Sequence, residues 1–130
     1  MGDFSYAKFL VRRTDVERVK ELHEPSYVED DEQNHAVEIQ YESLRGGGYS
    51  LASELMEAGI PYIHTWEGLV GSYPPGVAVF DGANLTEFLA FDGQPAITCQ
   101  PDGTLSDDIV AEFRAKLTDY RAVLALIEGE

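Results

Sequence analysis

Tyr62, His64 and Trp66 are the residues of this chain best placed to do chemistry together. They alternate within Pro61-Tyr62-Ile63-His64-Thr65-Trp66-Glu67, so a strand there puts all three on one face. An imidazole between two aromatic rings can act as a general base, or as the titrating group of a ligand pocket. Tyr73 and the turn Pro74-Pro75-Gly76 follow closely enough to close such a pocket. The competing reading is a half-buried aromatic face whose histidine is satisfied by a neighbour.

Other chemistry-bearing groups form no complete set. His35 follows the carboxylates Asp30, Asp31 and Glu32, which together could offer oxygen and nitrogen to a metal. The spacing of a calcium loop is absent, as is any His-Glu-x-x-His pattern, so no metal and no cofactor is expected. Cys99 is the single cysteine. Its neighbours Ala96-Ile97-Thr98 and Gln100 read as a plain strand without the positive surroundings that activate a thiol. Gly46-Gly47-Gly48 precedes a helix but lacks the Lys-Ser/Thr of a phosphate cradle. It reads as a hinge or bulge.

The charge is lopsided. The chain of 130 residues carries 24 carboxylates against nine Lys and Arg, a net −15. Eighteen of those carboxylates lie between residues 21 and 113, where Arg45 is the one base. A surface of this sign repels phosphates and anionic lipid, so direct nucleic-acid or membrane binding is not expected. With 44% apolar and 11% aromatic residues, the chain carries too much core material for a disordered acidic tail. The start of the chain has no secretory pattern and no run long enough to span a membrane. With one cysteine, these features suggest a cytoplasmic protein.

Elements that would position these groups can be read from pattern. Residues 4–13 form a first strand holding Lys8, Arg12 and Arg13. These bases would either neutralise acids on a neighbouring strand or bind a carboxylate partner. Thr14, with Glu17 three residues on, makes a capping box for a helix that Pro25 ends. Residues 24–34 form a mobile acidic loop containing Glu29-Asp30-Asp31-Glu32. Residues 35–43 are a strand with Val37, Ile39 and Tyr41 inward and Glu38, Gln40 and Glu42 on a wet, acidic face. Ser50 caps a short helix that Gly59 ends. Strands at 60–66, 77–80, 85–91 and 96–100 follow, the last three jointed by Asp81-Gly82 and Asp92-Gly93, with Asp102-Gly103 after the sixth. Ser106 caps a long helix to about Glu128, with Leu105 and Val110 as its hydrophobic staple. Its inner stripe is Ile109, Phe113, Leu117, Tyr120, Leu124 and Ile127, and of these Phe113, Leu117 and Leu124 should be core.

The expected fold is therefore one α+β domain over 1–130. A mostly antiparallel sheet of five or six strands carries a long C-terminal helix and two shorter ones on one side. The expected function is a small, non-enzymatic module that binds a basic protein partner, in the manner of an acidic inhibitor, an immunity protein or a nucleic-acid mimic. The likeness to those proteins is one of charge and size. Its binding surface would be Glu29, Asp30, Asp31, Glu32, Glu38 and Glu42. One alternative is a small-ligand binder or minor enzyme using Tyr62, His64, Trp66 and Tyr73. Another is adaptation to salt, in which case the acidity says nothing of partners.

Overall fold

The computed structural model describes residues 4–29, 35–45, 48–68, 74–91 and 93–129. Seven strands form one antiparallel sheet in the order β2-β3-β1-β4-β5-β6-β7. They are β1 (Phe4–Arg12), β2 (Tyr27–Glu29), β3 (Ala36–Arg45), β4 (Tyr62–Trp66), β5 (Gly76–Phe80), β6 (Leu85–Phe91) and β7 (Gln94–Pro95). The helices are α1 (Val16–Leu22), α2 (Tyr49–Glu57) and α3 (Asp107–Glu128). The result is a single small α+β domain.

Strand alternation sorts the side chains into two layers. On one face Val37, Ile39 and Tyr41 of β3 meet Ala7, Phe9 and Val11 of β1 in register, and Tyr62 of β4 lies beyond Val11. Val16 and Val19 of α1 and Leu51, Ala52 and Leu55 of α2 complete this cluster. On the other face Ile63, Val77, Val79, Phe88 and Ala90 pack with Val123 and Ile127 of α3. The helices therefore divide between the two faces, not one as expected. A helix with an apolar stripe must cover a sheet, but the stripe does not say which side.

α3 also buries a different part of itself from the one its stripe suggests. Val123 and Ile127 are fully buried, Ile109 is 40% exposed, and Phe113, Leu117 and Leu124 are half-buried. The helix crosses the strands. Thr86 Oγ1 donates to Asp119 Oδ2 at 3.0 Å and the ring of Phe88 lies beside that of Tyr120, so residues 119–120 sit over β6. A Cβ on Gly129 would lie 3.3 Å from the ring of His35. The helix packs on β6, β5, β4 and β1, and from residue 119 to 129 it rises about 15 Å, the scale of the three spacings between those strands. The first half of the helix is the less buried one, with Ile109 exposed and Phe113 and Leu117 half-buried.

Local details differ from expectation for physical reasons. The Thr14–Glu17 box does not form: a 3-10 turn occupies Arg13–Asp15 and the helix begins at Val16. Arg12 Nε donates to Asp15 Oδ2 at 2.8 Å, which draws the turn in before the helix. Gly48, not Ser50, is the N-cap of α2. At its other end Gly59 (φ +71°) takes the left-handed position, with Gly59 N–H donating to Met56 O and Ile60 N–H to Leu55 O. This is the Schellman arrangement. Residues 96–100 form no strand, and β7 is only Gln94–Pro95. Pro95 and Pro101 bracket the segment and lack the donors a ladder needs. Asp102-Gly103 consequently closes a loop ahead of α3, where Ser106 caps as expected by accepting from Ile109 N–H. Within the expected acidic loop, residues 27–29 pair with β3 as β2, and residues 30–34 lie outside the described residues.

Candidate functional site

The sheet face that carries α1 and α2 is only half covered by them. Among the described residues, no helix lies over its other half, formed by β4, β5 and β6. Three rows of side chains run across that half in register. Tyr62, Phe80 and Leu85 form one, His64, Ala78 and Glu87 the second, Trp66, Gly76 and Leu89 the third. Because β5 contributes Gly76 and Ala78, the middle of the surface is low. Aromatic β4 forms one bank and Leu85, Glu87 and Leu89 the other. Tyr49, Ala52 and Met56 of α2 wall the β4 side, and Pro74 and Pro75 close one end. The groove holds about 650 Å³, within the usual range for small-molecule sites.

The aromatic bank is held in place from behind. His64 is buried, and its ring stacks on Phe9 with centroids 4.2 Å apart and planes 7° from parallel. Trp66 lies 4.8 Å from His64 and donates its indole N–H to Pro74 O at 3.0 Å. A Cβ on Gly76 would come within 2.4 Å of Trp66 Cζ2, so the indole rests where only glycine leaves room. Tyr62 is buried, and its phenol is raised above the ordinary tyrosine value, first by burial and then by the charge of Glu87. Glu87 is itself exposed. Tyr49 and Leu85, 72% and 41% exposed, leave apolar surface on the rims, a feature associated with docking sites.

The sequence-derived residues fall into two groups. Tyr62, His64 and Trp66 do share one face and line one groove with Pro74, Pro75 and Gly76; Tyr73 lies outside the described residues. The sequence reading missed Tyr49, Met56, Ala78, Leu85, Glu87 and Leu89, because their convergence depends on strand register. One signal was available: β5, Gly-Val-Ala-Val-Phe, alternates small and large residues without a polar one, the mark of a strand with apolar neighbours on both faces.

Of the acidic surface, Glu29 and Glu38 stand directly opposite each other across β2 and β3. Like charges so placed repel, and Lys8 Nζ approaches Glu38 Oε1 at 3.4 Å while Gln40 donates to its other oxygen at 2.7 Å. Burial and the charges of Glu38, Glu67 and Glu29 raise the phenol of Tyr6 nearby. Glu42 is exposed further along β3, its backbone N–H donating to Ser26 Oγ. Asp30, Asp31 and Glu32 lie outside the described residues. Of the basic residues on β1, Lys8 and Arg12 neutralise acids of the protein itself, Arg12 by pairing with Asp15. Cys99 is exposed with a free thiol. Among the described residues no group of three or more His, Cys, Asp or Glu could hold a metal, and no helix is long and apolar enough to cross a membrane.

No protein-family model matches the chain, and neither a curated protein nor a solved structure is significantly similar to it.

Proposed function

We propose that this protein is a non-enzymatic binding module whose ligand seat is the groove between α2 and strands β4–β6. The observation that carries the reading is the half-face of sheet that no described helix covers, floored by Gly76 and Ala78 and banked by Tyr62, His64 and Trp66. Its polar groups are few: a buried imidazole stacked on Phe9, the phenols of buried Tyr62 and exposed Tyr49, and one exposed carboxylate. Binding asks nothing more of them, since apolar surface supplies the affinity and a few polar groups the orientation. Trp66 is the single tryptophan, so its emission reports directly on the groove. Titration with a neutral probe such as 2-phenylethanol should give a saturable change in that emission. Ala78→Leu, which fills the floor, should abolish it. An unchanged response in the filled variant would overturn the reading.

A second reading rests on the cross-strand pair Glu29 and Glu38. Here the acidic surface attracts a basic protein partner, and carboxylates steer its approach. Glu29→Lys with Glu42→Lys should then slow association and reduce its salt dependence while the groove probe still binds. The exposed thiol of Cys99 suits a reducing, cytoplasmic setting for either reading.

A further inference from the structure

We infer that the groove selects a small organic cation with an aromatic or alkyl body, its apolar part against Tyr49, Trp66 and Met56 and its ammonium group at Glu87. This inference rests on the proposed ligand seat and adds the sign of the ligand's charge.

Three independent features lead to it. First, Glu87 stands in the central row, directly across Ala78 from His64. Ala78 and His64 are each 4% exposed, so a ligand in the groove lies above them, between half-buried Trp66 and exposed Glu87. Second, Glu87 is the one carboxylate among the described lining residues, and they include no Lys or Arg. A bound anion would find no lysine or arginine there and would meet Glu87. Third, aromatic faces attract cations through their negative π-surface, and a thioether is a polarisable neighbour. Tyr49, Tyr62 and Trp66 all border the groove, with Met56 beside them. The net charge of −15 adds a field of the same sign over the whole surface. The size of the groove, about 650 Å³, suits a small molecule, whereas a protein partner would need a wider footprint.

Three probes of one shape separate the charge from the apolar body: phenethylammonium, 2-phenylethanol and 3-phenylpropanoate. Each is titrated into the full chain at moderate salt and followed through Trp66 emission. The cation should bind about five- to tenfold more tightly than the neutral probe, the range that an exposed carboxylate and a cation–π contact together support, and the anion most weakly. Glu87→Gln should reduce the cation's advantage over 2-phenylethanol to the smaller part that the aromatic faces supply. Glu112→Gln removes one charge from the exposed surface of α3, far from the groove, and should leave the preference intact. That control separates the local carboxylate from the general field. Equal binding of cation and neutral probe, or a preference undiminished by Glu87→Gln, overturns the inference while the ligand seat stands. A lysine-rich peptide that displaces 2-phenylethanol more effectively than phenethylammonium does would also overturn it, in favour of a protein ligand. Failure of all three probes to bind removes the ligand seat itself.

Discussion

The indole of Trp66 lies over the α-carbon of Gly76, so close that a single methyl group added there would reach within 2.4 Å of Cζ2. Both residues are in register across β4 and β5, so the contact sets the height of the aromatic bank above the groove floor. Gly76→Ala must push the ring away from Pro74 O, which now accepts its N–H at 3.0 Å. Overpacking of this kind costs about 1–3 kcal/mol. The expected result is a lower melting temperature together with a shifted Trp66 emission maximum, both measurable on the purified variant. Gly59→Ala makes a useful contrast. Its Cβ would meet nothing within 4 Å, so the cost comes from the left-handed backbone alone, and Trp66 emission should not move.

The two ends of α3 should respond differently to truncation. Ile127 is 1% exposed and Ile109 40%, although both belong to one apolar stripe. Ile127→Ala should cost about 2–5 kcal/mol and Ile109→Ala about 0.5 kcal/mol in denaturant unfolding. Similar losses would mean that the first half of the helix is buried as deeply as the second.

The core tyrosines predict the alkaline limit of stability. Burial pushes the phenol of Tyr41 up to about 12, its hydroxyl donating to His23 O at 2.9 Å, and Tyr62 is raised in the same sense. In the unfolded chain both ionise near pH 10. Both folded values are raised, so the stabilisation is complete below about pH 10 and lost as pH rises toward them, through about 12 for Tyr41. Tyrosinate absorbance should therefore lag in the folded protein and then rise together with unfolding. Tyr41→Phe should extend stability into that range, since it removes one group whose ionisation drives unfolding.

Added salt should raise the melting temperature at first. Nine bases cannot balance 24 acids. The pairs Lys8–Glu38, Arg12–Asp15, Lys20–Glu17 and Lys116–Glu112 are all part-exposed, so each contributes little. Screening therefore relieves more repulsion than it removes attraction. Calorimetry across a NaCl series should rise and level off. A rise that continues into molar salt would instead support salt adaptation as the reason for the acidity.

Patterns with period two carried most of what could be read in advance. The alternation of Val37, Ile39 and Tyr41 with Glu38, Gln40 and Glu42 gave both the strand and its inner face, because one side of β3 is buried and the other only partly so. Ser106 and Gly59 marked helix ends through chemistry local to the turn. The faces chosen by the helices were not legible, since α3 could satisfy its apolar stripe against either side. The segment 96–100 has strand-like composition, yet the prolines at 95 and 101 limit its pairing. Tyr62, His64 and Trp66 could be placed on one face from the strand period alone. Glu87, Ala78 and Leu89 could not, because they join that site through the register of β5 and β6, which no local pattern specifies.

The most direct test of the groove as the ligand seat is residue-level mapping by two-dimensional NMR during titration with phenethylammonium. Shifts should concentrate on the Trp66 indole N–H and the backbone amides of Gly76, Ala78, Glu87 and Leu89, and should saturate together with the emission change. Shifts centred on Lys8, Glu38 and the β2–β3 edge, or on the exposed first half of α3, would contradict a ligand seat in the groove.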